Sequence, residues 1–267
     1  MKIWAVSNQK GGVGKTTTVV SLGGLLSSWG FRTLLVDLDP HGSLTSYFKM
    51  NPDEMEFSVY NLFHDTGQKK KNINPQAYIV KTDFDGLSVL PASTAIATLD
   101  RQVASLGGMG LVVGNALNKV ADDYDFVIID SPPMLGILMI NALAACNQII
   151  IPSLSEHLAL KGLERMVHTV QMVFKSRKDP PQFTIVPTMF DKRTKAARES
   201  LILLRQTYPE NVWKSVIPID TKIRDASHQG IPVSMIEPNS KAGNAYAELL
   251  ELLLQEKNQA DKKMALG

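Results

Sequence analysis

Eight residues, Lys10-Gly11-Gly12-Val13-Gly14-Lys15-Thr16-Thr17, constrain this chain more than any other stretch. An apolar run from Ile3 to Val6 precedes them, and a segment of apolar and small residues from Val19 to Leu26 follows. Strand, glycine loop and helix in that order form a cradle for an anion. Backbone N–H groups and the positive end of the helix dipole converge on one point. Glycine at 11, 12 and 14 lets the backbone come close to phosphate oxygens. Lys15 is then placed to reach the β/γ-phosphates, and the Thr16 hydroxyl to ligate Mg²⁺.

The general P-loop pattern has a glycine where this chain has Gln9, with four residues between it and Gly14-Lys15-Thr16. In its stead an extra lysine, Lys10, stands at the loop entrance. The loop reads as a nucleotide site with one unusual cation.

A chain of 267 residues that is 44% hydrophobic can bury a sizeable core as one large α/β domain or two small ones. Its net charge of +2 does not by itself argue for nucleic acid, so local clusters must carry that case. The single cysteine, Cys146, excludes an intrachain disulfide and a four-cysteine cluster, and sits among alanines as a buried helix position would. No secretory pattern precedes the glycine loop, and no apolar run approaches the ~20 residues of a membrane span. A soluble, cytoplasmic protein is expected.

Along the chain, strands are predicted over 2–7, 32–37, 87–90, 126–130, 148–151, 183–186 and 212–217. Proline follows directly at positions 91, 152, 187 and 218. Helices are predicted over 15–29, a short turn capped by Ser43, 58–64, 94–106, 110–122, 136–146, 155–177, 195–207, 223–228 and 241–255. Residues 55–85 are the least legible, and Lys69-Lys70-Lys71 reads as a solvated turn. From 256 to 267 a polar tail is expected, outside a domain spanning 1–255. The alternation argues for one α/β domain, a doubly wound, mostly parallel sheet with helices on both faces. Its carboxyl edge, where ligands bind in such sheets, would carry Asp39, Asp130, Pro187 and Pro218.

Phosphoryl transfer needs a metal, a cation on the γ-phosphate and a positioned water. Asp130, ending Phe126-Val127-Ile128-Ile129, suits a Walker B carboxylate. Asp37 and Asp39 are two residues apart and point the same way in extended chain. Asp39, before Pro40, also fits a simple turn carboxylate.

These three motifs, in order, resemble the ParA/MinD family of deviant-Walker ATPases to about residue 254. The resemblance implies ATP and Mg²⁺ as cofactors, and a homodimer on ATP binding with two nucleotides between the subunits. It makes Lys10 the lysine that reaches the partner's phosphates, Asp39 the orienter of the attacking water and Asp130 the Walker B acid. Asp37 becomes a partner of the magnesium or of that lysine, so that Thr16, Asp37, Asp39 and Asp130 surround the metal. The adenine would lie near Met189, Pro218 and Asp220. Partition ATPases usually read Asp-Pro-Gln-Gly-Asn after the second motif, whereas this chain has His41-Gly42-Ser43 after Asp39-Pro40. With Ser155 to Met166 and Pro187 to Thr194, this is similar to the ParC-like branch that positions chemotaxis arrays at a cell pole with a ParP-like adaptor. Plasmid or chromosome partition is the alternative.

Lys192, Arg193, Lys195 and Arg198, with Lys222 and Arg224, could hold non-specific DNA by phosphate charge, or be a solvated basic face. Membrane contact is not expected, because Leu249, Leu250, Leu252, Leu253 and Leu254 suit core packing better than a membrane-lying face. A single cysteine argues against an iron–sulfur reductase.

Overall fold

The computed structural model describes residues 1–98, 108–175 and 180–264. Seven strands form one sheet: β1 Lys2–Val6, β2 Thr33–Asp37, β3 Val80–Lys81, β4 Leu87–Leu90, β5 Phe126–Asp130, β6 Gln148–Leu154 and β7 Gln182–Thr188. The order is β3-β4-β2-β5-β1-β6-β7, parallel throughout except for β3, which pairs antiparallel with β4 at one edge. The predicted doubly wound, mostly parallel sheet is therefore the observed one.

Both faces of the sheet are covered, which is why β2 and β5 are buried at every residue and read as unbroken apolar runs. Alternate residues of β1 feed two separate cores. Ile3 and Ala5 join the layer under α4 (Val112–Asn118), α5 (Ile137–Ala145) and α6 (His157–Phe174). Trp4 and Val6 join the layer under α1 (Lys15–Ser28) and the final helix α10 (Lys241–Met264). Smaller helices are α2 Ser43–Tyr47, α3 Val59–Gly67, α7 Lys195–Thr207, α8 Thr221–Gln229 and α9 Val233–Ile236.

Leu249, Leu250 and Leu253 of α10 are buried against Trp4, Val6 and Leu22, as the core-packing reading requires. Tyr246 on the same helix reaches Thr18 of α1, oxygen to oxygen at 3.2 Å. No described helix is long and apolar enough to cross a membrane.

Several boundaries differ from the sequence expectation. β6 and β7 run through Pro152 and Pro187 instead of stopping before them. Residues 212–217 are not a strand; only a bridge at Val212, and another at Pro218, touch the sheet edge. Val212, Trp213 and Ile217 are apolar because they are buried, not because they pair. Ser43 is the first residue of its helix; Gly42, at φ +62°, occupies the cap position. The helix expected over 110–122 is a short 3₁₀ turn, Met109–Leu111, followed by α4. Ser58 caps α3: its Oγ accepts the Tyr60 N–H, and its own N–H donates to Asn61 Oδ1. The last helix continues past 255 to Met264, so residues 256–264 are helical. The helix expected over 94–106 falls mostly on 99–107, which lie outside the described residues.

Gly24 fixes how closely α1 approaches its neighbours. A Cβ there would stand 2.5 Å from Pro232 Cβ and 2.8 Å from Ser234 Oγ. Gly67, in α3, has open space around it. Alanine gains up to about 1 kcal/mol of helix propensity over glycine, whereas overpacking a tight contact costs about 1–3 kcal/mol. Gly24→Ala is therefore expected to lower the urea midpoint, while Gly67→Ala leaves it unchanged or raises it.

Candidate functional site

The site forms where β1, β2 and β5 end together. Val6 is in register with Asp130, and Asp37 with Asp130, so the glycine loop and two carboxylates emerge side by side. Gly12 and Gly14 take positive φ, +71° and +88°, and α1 begins at Lys15.

Three bonds brace the loop from neighbouring strands. Asn8 Nδ2 donates to Pro152 O at 2.7 Å, while its Oδ1 accepts the Lys10 N–H at 3.0 Å. Ser7 Oγ donates to Ser131 Oγ at 2.7 Å, and Thr188 Oγ1 donates to Val13 O at 2.9 Å. Gln9, where the pattern has glycine, donates from Nε2 to Thr169 Oγ1 on α6 at 2.8 Å. Sequence reasoning missed Asn8 and Thr169, which carry no spacing signal, and placed Thr188 only near the adenine, not as a brace of the loop. A polar Ser7-Asn8 pair between strand and loop was the one available hint.

Lys15 is buried, which lowers its pKa, while Asp130 and Asp39 act to raise it. Thr16 Oγ1 donates to Asp130 Oδ2 at 2.6 Å. Asp130 is buried, and among the described residues its Oδ1 has no hydrogen-bond partner. Burial first, then the charge of Asp37, push its pKa well above the usual carboxylate range. An orphaned carboxylate oxygen beside a threonine hydroxyl and a lysine fits a hydrated divalent cation. Among the described residues no three acidic, imidazole or thiol groups converge enough to hold a metal unaided. Mg²⁺ here would keep several waters and take phosphate oxygens, as its chemistry favours.

Asp37 does not stand free among the metal groups. Its Oδ2 accepts from Thr45 N at 2.8 Å and Thr45 Oγ1 at 2.7 Å, and its Oδ1 from Asp39 N at 3.1 Å. Thr45 Oγ1 in turn accepts the Ala92 N–H at 2.8 Å. Asp37 thereby clamps the loop that carries Asp39. Burial raises its pKa to about 6, with the Thr45 bonds opposing. Asp39 is less enclosed, and its Oδ1 accepts from His41 N at 3.0 Å with His41 Nδ1 at 2.8 Å. Lys10 pairs with Glu156 of the same chain at 3.4 Å, a partly exposed contact worth ~0–1 kcal/mol.

Residues 1–183 match a family model described as an AAA domain. The chain is 34% identical over 249 residues to the sporulation initiation inhibitor protein Soj of Bacillus subtilis, covering 93% of this chain and 96% of that one. It is 32% identical over 249 residues to the chromosome partitioning protein ParA of Myxococcus xanthus, covering 93% and 86%. The chain belongs to the ParA/MinD family of ATPases.

Among solved structures, cobyrinic acid a,c-diamide synthase of Mycobacterium smegmatis, with bound ATP analogue and magnesium, superposes with a TM-score of 0.82 at 33% identity over 97% of each chain. The ATP complex of Cyanothece McdA gives 0.84 over 95% and 96%; at 22% identity that likeness speaks to the fold. This ParA/MinD-family chain is a P-loop ATPase that uses ATP and Mg²⁺, in keeping with the fit of its loop and of Asp130.

The remaining predicted residues are more dispersed. Met189 is exposed, takes φ +50°, and its Cε would lie 3.9 Å from a Cβ on Gly14, so it borders the loop. Phe190 bridges to Pro218, bringing that segment alongside. Asp220 caps α8 through Lys222 N and binds Ala242 N, both at 3.0 Å, so its two oxygens hold backbone. In the basic group, Arg193 forks onto Asp191, holding that carboxyl down at about 2. Lys195 pairs with Glu199, Lys222 with Glu237, and Arg198 donates to Lys192 O. Lys192, Arg198 and Arg224 are exposed with no ion pair among the described residues.

Asp37 gives a test with a worked sign. A carboxyl raised from 3.8 to about 6 favours the folded state fully below pH ~4, and that contribution is lost as pH rises through 6. At neutral pH its ionised form thus costs on the order of 3 kcal/mol. Asp37→Asn, measured against wild type without nucleotide, should become relatively more stable from pH 4 to pH 7. A difference in melting temperature that stays flat across that window would contradict the assignment.

Proposed function

We propose that this ATPase is a dimerising switch: two chains close over two nucleotides, hold a large cellular cargo, and let go after slow hydrolysis. Lys10 carries the reading. It stands at the loop entrance with its charge paired to Glu156 rather than to its own loop. Such a cation suits phosphates on a facing copy, where charge develops in the transition state. The flank supports the same reading. Met134 and Leu135, just beyond Asp130, are 75% and 50% exposed. Leu135 lines an open cavity of about 410 Å³ with Gln9, Arg165 and Met172. Apolar surface at the mouth of a charged site suits burial by another chain.

In this reading Lys15 holds the β/γ-phosphates, Thr16 ligates the magnesium and Asp130 steadies it through a water. Asp39 orients the attacking water, and Asp37 holds the loop that presents Asp39. The cargo is a chemotaxis array at a cell pole, reached through a ParP-like adaptor in the cytoplasm. The similarity of residues 39–48, 155–166 and 187–194 to the ParC-like branch motivates that choice. The second reading, chromosome or plasmid partition on nucleoid DNA, is favoured by the names of the Soj and ParA relatives. The exposed Lys192, Arg198 and Arg224 support it. Imaging array foci and chromosome origins in a deletion strain separates the two, since each cargo should scatter only in its own case.

Sizing with ATP or ADP tests the switch. Wild type should run as a dimer with ATP and as a monomer with ADP. Lys15→Ala should weaken ATP binding by ~30-fold or more and abolish the dimer. Asp39→Ala should keep the ATP dimer while losing ~100-fold in hydrolysis. A protein that stays monomeric with ATP and Mg²⁺ would falsify the switch. Retention on DNA at low salt that is unchanged by Arg193→Glu would remove that residue from any DNA contact.

A further inference from the structure

We infer that His41 is a positioning residue for Asp39, fixing the carboxylate so that one oxygen is free for the attacking water. The inference rests on the reading of Asp39 as the water-orienting group. The main chain of Asp39 is held at both ends: its N–H donates to Asp37 Oδ1 at 3.1 Å, and its carbonyl accepts the Gly42 N–H at 2.8 Å. Those bonds leave the carboxyl group able to turn about its own Cβ–Cγ bond.

His41 supplies the restraint. Its backbone N–H, at 3.0 Å, and its ring Nδ1, at 2.8 Å, both address Asp39 Oδ1. Two donors on one oxygen set the plane of the carboxylate, and Oδ2 then projects without a hydrogen-bond partner among the described residues. Lys15, Asp37 and Asp130 are the other charged groups acting around this carboxylate. The His41 side chain is 80% exposed and makes no other hydrogen bond among the described residues, so packing does not explain where it sits. For Nδ1 to donate, the neutral ring must carry its proton there, leaving Nε2 bare toward solvent. No proton or bond changes hands; the ring lowers the number of orientations from which the water must be accepted.

Two measurements test this. In nucleotide-free protein, ring ¹⁵N shifts should report His41 as the Nδ1–H tautomer, and Asp39→Ala should return it to the Nε2–H form preferred by free imidazole. In steady-state hydrolysis with ATP and Mg²⁺, His41→Ala should lower kcat by about 10-fold, with KM and the ATP dimer unchanged. His41→Asn, whose amide can donate from the place of Nδ1, should recover most of the loss. An Nε2–H tautomer in wild type, an alanine variant with unchanged kcat, a variant that loses KM or the dimer, or an asparagine variant that fails to recover would each overturn the inference. Asp39→Ala assayed alongside keeps the two failures apart. If it hydrolyses normally, the role of Asp39 falls; if it is inactive while His41→Ala is not, only the role of His41 falls.

Discussion

Val6, Asp37 and Asp130 finish three neighbouring parallel strands at one level, and the chemistry of the molecule depends on that register. A slip of one residue would turn every side chain of a strand to the opposite face. It would send each half of β1 into the opposite core and move a carboxylate away from the loop. The register is held by burial on both faces, through Ile3 and Ala5 on one side and Trp4 and Val6 on the other. The two cores therefore fix the strand register that positions the phosphate cradle. The bonds from Asn8, Ser7 and Thr188 then refine it.

That placement brings two buried carboxylates and a buried lysine within reach of one another, an arrangement a fold would not keep for stability alone. Thr16 and Thr45 offset part of the cost by donating to Asp130 and Asp37. Asp130 Oδ1 is left without a partner among the described residues. The unmet demand is for positive charge near Asp130, which is what a magnesium ion with its waters supplies. Asp37, by contrast, has its demand met by the loop, so the two aspartates that look alike in sequence do different work. One lies beside Thr16 and Lys15, and the other holds the segment that carries Asp39.

The glycine loop, Asp37, Asp39 and Asp130 were legible because each follows an apolar run at a strand end. Strands buried on both faces announce themselves in that way, and β1, β2, β4 and β5 fell close to their expected bounds. The prolines misled for a geometric reason. Pro152 directs its carbonyl toward Asn8, beyond the last residue of β1, so its missing N–H faces the loop and no ladder needs it. Pro187 directs its carbonyl outward to Ile217 N, on the open side of the sheet edge. Neither position requires a donor, and both strands run on. The supporting contacts were illegible for another reason. Thr45 reaches Asp37 across eight residues and Thr188 reaches Val13 across 175, and such pairings exist only once the sheet is built. That Asp37 is bound by Thr45 likewise follows from the turn into α2, not from any motif.

Lys10 draws these threads together. A glycine at position 9 would have left the loop entrance free of side chains, but Gln9 ties it to Thr169 on α6. Lys10 is thereby set beside the start of that helix, with its Cβ 3.8 Å from where a side chain on Gly162 would begin. Its bond to Glu156 is long and partly exposed, so the lysine can leave it at little cost. A lysine meant for its own phosphates would be buried with them, as Lys15 is. Lys10, only partly buried at the loop entrance and loosely paired, is a cation that the cradle of its own chain does not enclose. The chain thus holds one lysine inside its phosphate cradle and a second, loosely paired, at the entrance.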